Sequence, residues 1–153
     1  MERRIKRKLS KINSESVSSI PHEGETILAK VYDVYDGDTC KIIFLHGNKI
    51  PMKISIRIMG IDTPERRGKN ITDLEKEVAL IVRDKVIEWI DGKIVKITFL
   101  KWDKYGGRID GNIFFDDRSV GEELIKLGFA KIYHGKKKKK WTQEELLQIK
   151  ICK

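Results

Sequence analysis

The stretch Ile50-Pro51-Met52-Lys53-Ile54-Ser55-Ile56-Arg57-Ile58-Met59 decides the fold. Ile50, Met52, Ile54, Ile56 and Ile58 recur at period two, and Pro51, Lys53, Ser55, Arg57 and Met59 fall between them. Successive side chains of a strand point to opposite faces, so the pattern predicts a strand with one face in a core and Arg57 on the other. Upstream, β-branched and aromatic residues dominate Glu25 to Tyr35 and Asp38 to Leu45, which predicts two more strands. His46-Gly47-Asn48-Lys49 supplies the hairpin turn before Ile50, because Gly and Asn tolerate positive φ.

Downstream, Gly60 and the turn-like Asp62-Thr63-Pro64-Glu65 end the strand, and a polar loop runs from Arg66 to Asn70. Thr72-Asp73-Leu74-Glu75 has the form of a capping box, and Leu74, Val78, Ile81, Val82, Val86, Trp89 and Ile90 continue at helical spacing to Gly92. Lys93 to Trp102 and Ile109 to Phe115 read as a fourth and a fifth strand around the turn Asp103-Lys104-Tyr105-Gly106-Gly107. Ser119-Val120-Gly121-Glu122 opens a short helix that ends at Gly128, and Thr142-Gln143-Glu144-Glu145 opens a last one. Five strands with a helix between the third and fourth match an OB-type barrel, with a generic α+β sandwich as the alternative. The expected class is α+β, mainly β: a five-stranded OB-fold barrel with three helices.

The chain has 153 residues, 40% of them hydrophobic and 36% charged, the composition of one globular domain with a real core. No run of 18 apolar residues exists, which argues against a transmembrane helix. The basic N-terminus has no apolar run behind it and does not resemble a secretory signal. Two cysteines, Cys40 and Cys152, are too few for a disulfide scaffold or a Cys-rich zinc site, and reduced thiols suit an intracellular protein. His22, His46 and His134 are scattered in no metal or triad pattern and are expected at the surface.

The net charge of +9 is unevenly held. Residues 1–12 carry Arg3, Arg4, Lys6, Arg7, Lys8 and Lys11 against Glu2, and Lys136–Lys140 form an uninterrupted run. Those two patches account for more than the whole excess, so the rest of the chain is close to neutral. Residues 1–22, basic and then Ser-rich, are expected as a flexible arm ahead of a domain at 23–153. Such patches attract phosphates through counterion release, or else simply solvate the chain; the basic arm and the lysine run also have the composition of a nuclear-localisation signal.

Two acidic clusters flank the amphipathic strand: Asp36-Gly37-Asp38-Thr39 before it and Asp62-Thr63-Pro64-Glu65 after it. Either alone is a common turn sequence. Hard cations take oxygen ligands of this kind. Arg57 on the non-core face and Arg108 at the start of the fifth strand add guanidinium groups, which match phosphate with two parallel hydrogen bonds.

Taken in order, Asp36-Gly37-Asp38-Thr39, Ile56-Arg57-Ile58-Met59-Gly60-Ile61-Asp62-Thr63-Pro64-Glu65, Asp103-Lys104-Tyr105-Gly106-Gly107-Arg108 and Gly121-Glu122-Glu123-Leu124-Ile125-Lys126-Leu127-Gly128-Phe129-Ala130 resemble the successive signatures of the staphylococcal nuclease (thermonuclease) family. The resemblance spans about residues 26–135. It implies a Ca²⁺-dependent endonuclease on an OB-fold barrel, largely indifferent to sequence, that cleaves DNA and RNA and leaves 3′-phosphate ends. By position, Asp38 and Asp62 correspond to the family's carboxylates for a single Ca²⁺, Thr63 to the residue lending a backbone carbonyl, and Asp36 to a nearby supporting carboxylate. Glu65 corresponds to the glutamate that activates or positions water, and Arg57 and Arg108 to the arginines that hold the phosphate. Lys104 and Tyr105 correspond to residues near the terminal phosphate, and Tyr133 to a base-stacking platform. The turn before Arg108 is one glycine longer than in the founding nuclease. A monomer acting on single-stranded or frayed substrate, away from membranes, is the expectation; a non-catalytic nucleic-acid-binding module, or a basic scaffold domain, is the alternative.

Overall fold

The structure, a computed structural model, describes residues 1–152. Its strands are β1 (Thr26–Asp36), β2 (Thr39–His46), β3 (Ile50–Ile58), β4 (Ile61–Asp62), β5 (Ile94–Trp102), β6 (Arg108–Phe115), β7 (Arg118–Ser119) and β8 (Lys131–Ile132). Its helices are α1 (Glu2–Leu9), α2 (Asp73–Ile90), α3 (Val120–Lys126) and α4 (Gln143–Ile151). The main sheet runs β3-β2-β1-β5-β6-β7, and a parallel pairing of β3 with β6 closes the five long strands into a barrel. Val31, Ile42, Ile56, Ile97, Phe99 and Ile109 are fully buried inside it.

The deciding strand obeys its alternation only where the barrel covers it. Ile56 and Ile58 are buried, but Ile50 and Met52 are exposed because the β2–β3 hairpin projects past the core. Arg57 sits opposite Thr39 across β2 and opposite Asp110 across β6, at the seam of the barrel. Gly111 is required next door, because a Cβ there would collide with the carbonyl oxygen of Thr98 on β5.

Among the described residues the α-helix count is four rather than three, and the addition is α1, within the segment expected as an arm. Arg, Lys, Glu and Leu are good helix formers, and Glu2 and Lys6 form an i,i+4 pair at 2.6 Å. No residue of α1 is buried, so no core-facing periodicity announces it. Further on, Ile20 is buried and the Trp102 indole N–H donates to the Ser19 carbonyl at 3.0 Å, so the end of this segment lies on the barrel. His22 is half-buried, edge-on to Phe44 and Phe99, rather than at the surface. Trp89 of α2 stacks on Phe115, and α4 packs against α2.

Candidate nucleic-acid and cation site

The two acidic clusters meet because Gly37 has no side chain. Asp36 and Thr39 pair across a two-residue hairpin, leaving Gly37 and Asp38 at its tip. A Cβ on Gly37 would lie 2.7 Å from Val82 Cγ1 and 3.1 Å from the Thr63 side chain. The first cluster is therefore seated directly on the second. The Asp38 carbonyl accepts from the Ile58 backbone at 2.8 Å, and the Thr39 hydroxyl donates to Asp38 Oδ1 at 2.9 Å. Asp62 is held from the other side: β4 pairs with β8, placing Asp62 opposite Lys131, and the Tyr133 N–H donates to the Gly60 carbonyl at 2.9 Å.

Asp36, Asp38, Arg57, Glu65, Arg108 and Tyr133 line one cleft of about 430 Å³, with Lys104 and Tyr105 on its wall. Asp62 and Thr63 do not line it: they are buried, 5% and 3% exposed, and Asp62 borders an adjoining depression with Tyr133, Lys136 and Lys137, joined to the cleft through Lys138. Seven of the nine residues named from sequence thus line one depression, together with Asp36; of the other two, Asp62 reaches it through Lys138 and the Thr63 side chain packs against Gly37. Arg57 approaches Asp38 Oδ2 at 3.5 Å, and its guanidinium is 5.7 Å from the centre of the Tyr133 ring. Arg108 is anchored by Asp103, whose Oδ2 accepts from the guanidinium at 2.8 Å. The glycines of the longer turn both need positive φ, 73° at Gly106 and 77° at Gly107, which lets β6 begin with Arg108 beside Asp103.

So many carboxylates in a half-dry site oppose their own ionisation. Burial, and then the neighbouring Asp38 charge, push Asp36 up to about 7. Burial also raises Asp62; Lys138 opposes the rise and Asp38 and Glu65 add to it. Asp110 is raised by burial and by Asp103, against the pull of Arg57. Burial works against the Arg57 and Lys138 cations, but Asp38 and Asp110 in the first case, and Asp62 and Glu65 in the second, hold both above their ordinary values. Asp103 behaves oppositely to its neighbours. Burial would raise it, but the Tyr105 N–H and the Arg108 guanidinium hold it below the usual carboxylate range.

Among the described residues, no three His, Cys, Asp or Glu side chains form a ready metal cluster. What Asp38, Asp62 and Thr63 offer is a set of hard oxygens, two of them charged and nearly dry. Asp62 Oδ1 is buried and accepts no well-directed hydrogen bond; its close neighbour is Lys138 Nζ at 2.6 Å. A buried carboxylate oxygen beside a second carboxylate, already paired with one cation at Lys138, fits a hard divalent cation in donor chemistry.

Four features escaped sequence reasoning. Asp110 lies in the cleft with Oδ1 buried and unpartnered, and its signal was the period-two alternation Arg108, Asp110, Asn112 on β6. Asp103 looked like a turn residue only. Glu75, expected to close a capping box on Thr72, instead accepts from the Glu65 backbone N–H at 3.1 Å. Thr72 still caps α2 by accepting from the Glu75 N–H. Lys138 was one of five equal lysines, and nothing in the run distinguishes it.

A family model described as "Staphylococcal nuclease homologue" matches residues 55–151. The chain belongs to the staphylococcal nuclease homologue family. Its matched region runs from within β3 to the end of α4 and so takes in Arg57, Asp62, Thr63, Glu65, Arg108 and Tyr133. The chain is 30% identical over 111 residues to an "Uncharacterized endonuclease" of Escherichia coli, covering 70% of this chain and 61% of that protein. It is 29% identical over 127 residues to "Staphylococcal-like nuclease CAN1" of Arabidopsis thaliana, covering 78% of this chain and 33% of that protein. This member of the staphylococcal nuclease homologue family therefore matches about three fifths and one third of the lengths of these relatives. No helix among the described residues is long and apolar enough to cross a membrane.

Proposed function

We propose that this domain is a Ca²⁺-dependent endonuclease that hydrolyses phosphodiester bonds of DNA and RNA with little regard for sequence. The observation that carries the proposal is the convergence of Arg57, Arg108, Glu65 and Asp38 on one cleft with Tyr133 at its edge. Two guanidinium groups, a carboxylate and an aromatic face are what cleavage of a nucleotide strand needs, and none of them reads a base edge. The relatives' names, endonuclease and nuclease, point the same way.

One Ca²⁺ on Asp38, Asp62 and the Thr63 carbonyl supplies Lewis-acid stabilisation of a phosphate oxygen when bound. The chain's own groups do the rest. Arg57 and Arg108 donate to the non-bridging oxygens, where negative charge grows as phosphorus becomes five-coordinate. Glu65 orients the attacking water opposite the 5′-oxygen and takes its proton as the new P–O bond forms; the 5′-oxygen leaves with the electrons of the broken P–O bond and takes a proton from solvent, while the 3′-phosphate remains. Tyr133 offers a stacking face to the base, and Lys104 and Tyr105 lie along the wall for a terminal phosphate. A cleft open to one strand favours single-stranded or frayed substrate and needs no second copy of the chain.

Incubation with single-stranded DNA and RNA, in Ca²⁺ and in EGTA, followed by end-group analysis, tests this. Cleavage in Ca²⁺ alone with 3′-phosphate ends is expected. Salt-dependent binding without turnover in Ca²⁺ would instead assign the domain to nucleic-acid binding or scaffolding.

A further inference from the structure

Lys138 stands apart from the other four lysines of its run. Its Nζ lies 2.6 Å from Asp62 Oδ1 and 2.6 Å from Glu65 Oε1, and 5.9 Å from the centre of the Tyr133 ring. Lys136, Lys137, Lys139 and Lys140 are exposed, as is Lys138 with 41% of its side chain, but among the described residues only Lys138 of the five pairs with a carboxylate. The segment that carries them is pinned at one end by β8 and the Tyr133–Gly60 hydrogen bond, and at the other by α4 with its complete capping box. The ammonium group is thus tethered to the site, and a tethered partner acts at a high effective concentration.

An ammonium ion and a divalent cation cannot share Asp62 Oδ1. Both need the same oxygen, and their charges repel. A phosphate backbone lying along the exposed lysines offers Lys138 an alternative set of anionic oxygens. We propose that Lys138 is a resident counter-cation that holds the Asp62–Glu65 pair against the divalent ion until a polyanion bound along Lys136–Lys140 draws it away. The proposal rests on the assignment of Asp62 to the cation site. It makes nucleic acid and divalent cation positively coupled ligands, and the coupling is reciprocal by linkage. It also gives the lysine run a task beyond affinity: metal loading follows the arrival of substrate.

The test measures binding of Ca²⁺ to the full chain, with the free ion set by a chelator buffer and melting temperature as the readout. The wild type, Lys138→Met and Lys137→Met are each titrated with and without a phosphorothioate oligothymidylate. Lys138→Met is expected to bind Ca²⁺ at least about fivefold more tightly than wild type, the lower end of ordinary coupling. The oligonucleotide is expected to tighten Ca²⁺ binding in wild type and Lys137→Met but to add little in Lys138→Met. Without Ca²⁺, Lys138→Met should melt below wild type, since Asp62 and Glu65 lose their counter-charge. Lys138→Gln, which keeps a polar side chain of similar length, replaces the Met variant if that variant does not fold. Equal Ca²⁺ affinity in wild type and Lys138→Met overturns the proposal and leaves the cation site standing. Equal tightening by Lys137→Met overturns it in favour of the run's net charge. Absence of Ca²⁺ binding in every variant removes the cation assignment and the proposal together.

Discussion

The carboxylate of Glu75, in the first turn of α2, accepts a hydrogen bond from the backbone N–H of Glu65 at 3.1 Å. Glu75 is 8% exposed, and the bond ties the loop after Asp62 to the helix that packs on β1. Hydrogen bonds to a charged acceptor are worth about 1.5–3 kcal/mol. Glu75→Ala is therefore expected to destabilise the fold by about 1.5–3 kcal/mol and to lower kcat by about tenfold through misplacement of Glu65. Glu75→Gln keeps an acceptor oxygen and should recover most of both losses. Steady-state kinetics with urea melts decides it: equal losses in the two variants would mean that the charge, not the bond to Glu65, matters.

Asp103 and Arg108 make a second test, read through pH. Asp103 is buried and held below the ordinary carboxylate range despite its burial, because the Tyr105 N–H and Arg108 stabilise its charge. A carboxylate lowered in the folded state binds fewer protons there than in the unfolded chain. Its contribution is present above the unfolded value of about 4 and is lost as pH falls through the lower folded value. Asp103→Asn should be less stable than wild type at pH 7, and the gap should shrink by pH 3. Parallel stability curves across that window would contradict the pairing.

The barrel was legible because its strands and α2 are amphipathic over many residues, and Thr72, Ser119 and Thr142 all accept the expected capping bonds. Ile50 and Met52 were not legible as exposed, because alternation records which face a residue is on and not how far the covering layer extends. The co-location of Asp36, Arg57, Glu65 and Arg108 came from matching ordered motifs, since spacing alone carries no distance between β1, β3 and β6. Asp103 and Lys138 were illegible for a related reason. Both act through partners brought close by folding, and their local sequences, a turn and a lysine run, have ordinary uses.

Arg57 lies at the barrel seam with its charge directed to the cleft, and its backbone pairs with both β2 and β6. Arg57→Ala removes the guanidinium without altering that pairing. Loss of one preorganised donor to a transition state costs about 2.7–4 kcal/mol, or roughly 10²–10³ in kcat. The variant should retain the wild-type circular dichroism spectrum. Near-normal cleavage would remove Arg57 from the chemistry.

The two thiols should behave differently. Cys40 is 1% exposed, and burial, followed by the charges of Asp33 and Asp36, pushes it up to about 12. The thiolate is the reactive species, so Cys40 is unreactive in the folded protein at pH 8. Cys152 is exposed. Iodoacetamide at pH 8 is expected to add one carbamidomethyl group, at Cys152, and a second only after denaturation. Labelling of Cys40 in native buffer would show that β2 opens locally.

If the proposed function holds, a division of labour between the basic patches and the cleft is read in the dependence on salt. α1 presents Arg3, Arg4, Lys6, Arg7 and Lys8 with no residue buried, and Lys136, Lys137, Lys139 and Lys140 are exposed beside the cleft. Each phosphate neutralised on a single strand contributes about 0.7 to the slope of log affinity against log salt. Deleting residues 1–12 and changing those four lysines to Gln, with Lys138 kept, should flatten that slope by several times this amount. Arg57, Glu65 and Arg108 remain in place, so kcat at saturating substrate should fall much less than affinity. Binding isotherms between 50 and 200 mM salt, roughly the range over which such contacts are titrated away, paired with single-turnover rates, separate the two effects. An equal fall in affinity and rate would mean that the patches act on the transition state as well as on the encounter.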